Sequence, residues 1–295
     1  MPLDFGASRH GSDMGPSAIR LAGLRESLKE LGLSPELHYS PMDLSSELYE
    51  EIGSPKEKYL KPIVKACLQL AKPVEQAMLS GSFPLVLGGD HSIALGSISG
   101  VSEACRKQNK KLGVLYVDAH GDFNTPETSL SGNIHGMGMA ALCGYGNPEL
   151  VNLYSSNIKV DSHNVCYLGV RDLDPGERVL MKSAGVKVFS MVDIDRLGFP
   201  VAVKQAIDYL AKRVDVVHVS FDIDVMDPSF APGVGIQVPG GLSYREVLLL
   251  MEEVSAAGFA CSAEIVEVNP VLDIRNQTAK MAVEIISRLF GYTIF

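Results

Sequence analysis

The sequence has no pair of cysteines at CxxC spacing; Cys67, Cys105, Cys143, Cys166 and Cys261 stand singly. Five scattered cysteines do not make a disulfide framework and suit reduced thiols in a cytosol-like compartment. No apolar run approaches the roughly 18 residues that span a bilayer, and the opening MPLDFGASRHGSD lacks both the basic and the apolar part of a secretion signal. The chain is therefore expected to be soluble and cytoplasmic, with no membrane partner. No Lys/Arg-rich stretch interrupts a balance of 26 basic against 35 acidic residues, net −9, which disfavours nucleic acid and anionic surfaces as partners. No GxGxxG follows an apolar run and no GxxxxGK[ST] occurs, which argues against a nucleotide-binding α/β protein. Repeats, low-complexity tracts and long linkers are also missing, so residues 1–295 are read as one domain.

What is present is ordinary globular composition: 295 residues, 46% of them hydrophobic, enough for a large core without a disulfide or structural-metal staple. Short apolar, β-branched runs at 83–87, 112–117, 165–169, 186–189, 214–221 and 259–266 read as strands. Segments of helical periodicity lie at 16–31, 55–79, 92–108, 175–184, 199–213, 243–257 and 276–289, and Ser243 with Glu246 has capping-box spacing. The alternation predicts an α/β fold, a parallel sheet covered by helices on both faces. One oddity is a Gly-containing loop at 2–20, of a kind that usually follows a strand. The sheet is expected either to lack that strand or to carry a less well covered edge.

The apolar runs end on acids and imidazoles. Residues 84–92 end in Asp90 and His91; 114–124 end in Asp118, His120 and Asp122; 216–228 end in Asp222, Asp224 and Asp227; 261–270 carry Glu267. Open parallel sheets place ligand sites beyond these strand ends. In extended backbone alternate residues point the same way, so Asp118, His120 and Asp122 are expected on one side, as are Asp222 and Asp224. With His91 they form a set of four Asp and two His that cannot stay as bare like charges in a buried place. Six ligands exceed one tetrahedral zinc but suit two divalent ions about 3.5–4 Å apart, and the mostly oxygen donors favour Mn²⁺. Asp227, before a proline, reads as a turn; His218, inside a strand run, reads as a core histidine; His10, His38 and His163 have no ligand-spaced neighbour. Glu264 and Glu267 differ by three and face opposite ways in a strand; Glu267, nearer the strand end, is expected at the site, and Glu264 paired elsewhere or at an interface.

The blocks GGDHS (88–92), DAHGDFNTPETSLSGNIHGM (118–137), GVRDLDPGE (169–177), SFDIDVMDPSFAPGVG (220–235), GGLSYRE (240–246) and AEIVEVNPVLD (263–273) resemble the ureohydrolase family, its bacterial arginases in particular. The resemblance implies a three-layer αβα fold of the arginase–deacetylase type, two Mn²⁺ per subunit, and a trimer or hexamer. It also implies hydrolysis of L-arginine to L-ornithine and urea by a metal-bridging hydroxide. Carried over by position, His91 and Asp122 complete the first metal site, His120 and Asp224 the second, and Asp118 and Asp222 bridge. Asp122 passes a proton, His135 is a shuttle or substrate contact, and Glu267 holds the guanidinium through a charge-assisted pair. Asn124, Ser131 and Asn133 are expected at the substrate carboxylate, and Asp174 and Glu177 at the ammonium. Three positions depart from the family pattern: Ile236 stands for a common Thr, and Leu130 and Gly138 for common prolines. They are expected to alter substrate affinity or the pH profile and leave the metal centre intact. The competing readings are an agmatinase or another guanidino- or formimino-hydrolase, and a metal-binding relative without catalysis.

Overall fold

In the computed structural model, which describes residues 1–38 and 52–294, the apolar runs form the expected strands. A small antiparallel hairpin joins β1 (Gly53–Ser54) and β2 (Glu57–Lys58). The main strands are β3 (Leu85–Leu87), β4 (Leu112–Val117), β5 (Val165–Val170), β6 (Lys187–Ser190), β7 (Val216–Asp222) and β8 (Ala260–Val266). They make one sheet in the order β3-β8-β7-β4-β5-β6, and every pairing in it is parallel.

Each face of the sheet has its own core. Leu115, Val117, Cys166, Leu168, Val217, Val219 and Phe221 pack with residues of helices Phe199–Ala211, Tyr244–Ala257 and Gln277–Leu289. The alternate residues Val114, Tyr116, Val165 and Tyr167 pack with Leu60–Leu79 and Ala94–Lys107 on the other side. That is the expected three-layer αβα arrangement. All six residues of β4 and of β5 are buried, and each Val or Leu so covered contributes roughly 1.5–3 kcal/mol relative to exposure.

The order of connections decides where the site forms. From β4 the chain moves outward through β5 to β6, and from β7 it moves the other way to β8. β4 and β7 are neighbours, with Val117 beside Phe221, so the loops that leave their C-terminal ends diverge and open a crevice between them.

Helix boundaries differ from the periodicity where glycine and proline intervene. The expected helix at 16–31 is two helices, Gly15–Leu21 and Leu24–Glu30, broken at Gly23, whose φ of 100° lies in the left-handed region. The expected helix at 55–79 begins only at Leu60, because Pro55 lies in the turn between β1 and β2. Ser243 and Glu246 form the expected capping box. Three short helices, Gly138–Leu142, Pro148–Val151 and Met191–Leu197, carry too few turns for periodicity to reveal them. No strand precedes Gly53 among the described residues, as one of the two N-terminal expectations had it. The edge is nonetheless covered: Met1 and Leu3 carbonyls accept from Gly89 and Asp90 N–H at 2.9 and 2.7 Å.

That covering explains a glycine. A Cβ on Gly89 would lie 1.8 Å from the Leu3 carbonyl oxygen, backbone against backbone. Gly89→Ala is expected to cost about 1–3 kcal/mol, read as a lower urea midpoint. Gly136→Ala, whose Cβ would meet nothing within 4 Å, is expected to stay within about 0.5 kcal/mol.

Candidate metal centre and substrate cleft

The residues after β3, β4 and β7 converge, though not through extended backbone. Beyond β4 the chain bends at once, and Asp122 takes a φ of 47°. Its carbonyl accepts from Met139 and Ala140 N–H at 3.0 and 3.3 Å. Beyond Asp222 a single 3₁₀ turn, Ile223–Val225, brings Asp224 back, capped by Asp222 Oδ1 accepting from Asp224 N–H at 2.8 Å. The residues that the alternate-residue rule selects do come together, but turns rather than a strand aim them.

The turns also divide each carboxylate's work. Asp118 Oδ1 accepts from His120 N–H at 2.7 Å and Asp224 Oδ1 from Ala119 N–H at 3.3 Å. The second oxygens face a common centre. His91 Nδ1 lies 3.0 Å from Asp118 Oδ2 and 3.1 Å from both Asp122 Oδ2 and Asp222 Oδ2; His120 Nδ1 lies 3.1 Å from Asp224 Oδ2 and 3.4 Å from Asp118 Oδ1. Two trios with ligand atoms within 4.8 Å of one another result, His91–Asp118–Asp222 and Asp118–His120–Asp224. Asp118 belongs to both, as expected of a bridging ligand, whereas Asp222 joins only the first and Asp122 stands beside it.

This donor set fits divalent cations. Asp118 Oδ2 is fully buried and has no hydrogen bond of suitable geometry. Burial, then Asp224 and Asp118, push Asp222 well above the carboxylate range. Burial alone would lower His91 and His120, but the nearby carboxylates of Asp118, Asp122 and Asp222 outweigh it for His91. Asp224 and Asp118 do so for His120, and both imidazoles sit well above their usual range. A cluster that raises both of its imidazoles and Asp222 lacks positive charge.

Behind His91 a buried relay fixes the ring. Its Nε2 is 2.7 Å from Ser220 Oγ, which donates to Glu264 Oε1 at 2.7 Å; Glu264 also accepts from Ser97 and lies 3.5 Å from His218 Nε2. With Nε2 paired this way, Nδ1 is the nitrogen turned to the centre. Glu264 is thus paired inside the protein, and His218 bonds Ser262 at 2.8 Å in the core, as the sequence suggested.

Tyr116 and Arg171 were not foreseen. The Tyr116 ring stacks on His91 with centroids 4.7 Å apart, and its hydroxyl donates to Asp122 Oδ2 at 2.7 Å. A tyrosine in a strand reads as core, and only its place two residues before Asp118 hinted otherwise. Arg171 spreads its guanidinium over the carbonyls of Asp224, Val225, Met226 and Val238 at 2.7–3.3 Å, binding the Asp224 turn to the 235–238 segment.

A cleft of about 510 Å³ is lined by Ser131, Asn133, His135, Ile236 and Glu267, with Arg9 beside them. Glu267, just past β8, holds a φ of 64°; its Oε1 accepts from His91 N–H at 2.9 Å and is 3.1 Å from His135 Nδ1. Burial would lower His135, but Glu267 outweighs it and raises the ring to about 9. Asn133 donates to Ser8 Oγ at 2.7 Å, and Ser131 Oγ accepts from Asn133 N–H. Asn124 donates to Asp174 Oδ2 at 3.1 Å, so these two predicted contacts meet each other. Glu177 is buried and accepts from Phe123 and Asp174 N–H; burial, against the Phe123 bond and with Asp122, pushes it up to about 8. Leu130 is 81% exposed, and Gly138 opens a short helix.

A model of the Arginase family matches residues 1–291. The chain belongs to the Arginase family. It is 49% identical to the arginase of Brevibacillus brevis over 291 residues, covering 99% of this chain and 96% of the relative. It is 47% identical to that of Bacillus caldovelox, with 99% and 96% covered. The crystal structure of arginase from Bacillus cereus superposes with a TM-score of 0.92 at 46% identity, covering 100% of this chain and 97% of that one. The fold expected from the resemblance, a parallel sheet within three layers, is therefore the family's own.

Adding a divalent cation, with Mn²⁺ as the probe, to chelator-treated protein is expected to raise Tm. Ligand at 100 times Kd stabilises by about 2.7 kcal/mol, roughly 5–10 °C for a chain of this size. Asp118→Asn is expected to abolish most of that shift while leaving the metal-free Tm equal or higher, because it removes a buried like charge. A cation-induced shift of wild-type size in this variant would contradict the shared-ligand geometry.

Proposed function

We propose that this protein hydrolyses L-arginine to L-ornithine and urea at a centre of two Mn²⁺ ions. The observation that carries the reading is the pair of donor trios sharing Asp118, tied through the His91 N–H to Glu267, the buried carboxylate of the cleft. Four Asp and two His match a hard, six-coordinate ion better than zinc. His91, Asp118, Asp122 and Asp222 would hold the first ion, and Asp118, His120 and Asp224, with Asp222 beside them, the second. When bound, the ions supply the Lewis acidity that makes water a nucleophile at neutral pH.

The remaining steps fall to side chains. Glu267 holds the guanidinium by a charge-assisted pair, with its carbon facing the metals. Asp122, which accepts from the Tyr116 hydroxyl and lies 3.1 Å from His91 Nδ1, moves a proton to the departing amino group. His135, raised to about 9 by Glu267, is a protonated shuttle at neutral pH in the free enzyme. Asn124, Ser131 and Asn133 take the substrate carboxylate, and Asp174 the ammonium, with Glu177 supporting the loop that carries them. Ile236, at the cleft wall, offers no hydroxyl near Glu267. The reading extends to residues 1–295 working as a single domain, in a homo-oligomer of three or six copies, in the cytoplasm. The five free cysteines suit a reducing compartment.

Urea release after Mn²⁺ loading, run in parallel on L-arginine, agmatine and a formimino substrate, tests the reading. L-arginine is expected to be turned over fastest; faster release from agmatine would assign the cleft to a decarboxylated guanidino substrate. Asp122→Asn is expected to lower kcat at least about a hundredfold with cation binding retained in part, and near-wild-type kcat would remove Asp122 from proton transfer.

A further inference from the structure

We propose that Arg9 is a specificity-determining residue, its guanidinium binding the carboxylate of the substrate at the mouth of the cleft. The inference rests on the hydrolysis of a zwitterionic guanidino acid proposed above. Such a substrate has a cation at one end and a carboxylate with an ammonium at the other. The cleft is charged to match. Its buried end carries Glu267, and Arg9 is the one Lys or Arg side chain that lines it among the described residues.

The neutral groups expected at the carboxylate, Ser131 and Asn133, line the same cleft but offer no counter-charge. Asn133 Nδ2 already gives one of its two N–H groups to Ser8 Oγ at 2.7 Å, which leaves one amide N–H and the Ser131 hydroxyl as neutral donors. A carboxylate bound by hydroxyl and amide alone forgoes the stronger charge-assisted bond, and guanidinium is the donor whose fork matches it.

Arg9 is exposed and, among the described residues, its side chain has no hydrogen bond or ion pair, so its donors are available. Its backbone, by contrast, is held on both sides. Gly6 N–H donates to Asp90 Oδ2 at 2.8 Å and its carbonyl accepts from His135 N–H at 3.2 Å. Gly11 N–H donates to Asp4 Oδ2 at 2.9 Å, and the His10 carbonyl accepts from Asn269 at 3.1 Å. A free head on an anchored stem reaches a ligand without first breaking a protein contact. The loop also places a permanent cation at the cleft of a chain whose net charge of −9 would otherwise repel a carboxylate.

The test is steady-state kinetics of the Mn²⁺-loaded wild type, Arg9→Ala, Arg9→Glu and Arg9→Lys on L-arginine, with agmatine as substrate or competitive inhibitor. Agmatine keeps the guanidinium and lacks the carboxylate. Arg9→Ala is expected to raise KM for L-arginine about three- to tenfold, with kcat within about twofold and agmatine binding unchanged or tighter. Arg9→Glu is expected to raise it further, Arg9→Lys to restore part of the loss, and the salt dependence of KM to weaken in Arg9→Ala. An unchanged L-arginine KM in Arg9→Ala, or an equal change for agmatine, overturns the proposal and leaves arginine hydrolysis standing. A wild type that turns over no L-arginine overturns the activity itself, and the role of Arg9 with it.

Discussion

Asp118, Asp222 and Asp224 each give one carboxylate oxygen to a backbone N–H and turn the other toward a point they share with Asp122, His91 and His120. Carboxylates brought so close and so far from water repel one another, and the upward shifts of Asp222 and of the His91 imidazole register it. Bound divalent cations would reverse the sign of that interaction. Much of the architecture around the strand ends can be read as holding these groups together until the cations do. Arg171 binds the Asp224 turn through carbonyls rather than competing for its carboxylate, Tyr116 steadies Asp122, and Glu264 steadies His91 through Ser220.

The same demand accounts for strain. Two of the site's residues, Asp122 and Glu267, hold left-handed backbone that costs a non-glycine residue on the order of 1 kcal/mol. Each is over-determined: the Asp122 carbonyl caps the helix that starts at Gly138, and Glu267 N–H is tied to the Gly89 carbonyl at 2.8 Å. The two departures from regular backbone put one carboxylate beside the donor cluster and the other in the cleft. A strand continued straight past Val117 or Val266 would carry both away.

Most of the fold was legible because parallel strands buried on both faces must be apolar along their whole length. The runs at 112–117 and 165–169 stood out, and β4 and β5 occupy Leu112–Val117 and Val165–Val170. Glycine at 23 and proline at 55 broke helices that periodicity joined, since a hydrophobic stripe survives a local change of direction. The candidate ligands were legible for another reason. Acids repeated at the ends of several apolar runs have few structural explanations, and His91, Asp118, His120, Asp222 and Asp224 meet in space.

The sequence alone determined the composition of the centre: four Asp and two His, in an order that only strand ends of one sheet could reconcile, and a member of the pair Glu264 and Glu267 on each side of a strand. Tertiary structure decided what pattern cannot encode. It assigned Glu264 to the relay behind His91 and Glu267 to the cleft, made Asp118 the carboxylate common to both trios, and set Arg9 opposite a carboxylate 258 residues away. The reason is physical: hydrophobic periodicity reports which face of one element is buried, whereas a site at a topological switch point depends on how distant loops pack against each other.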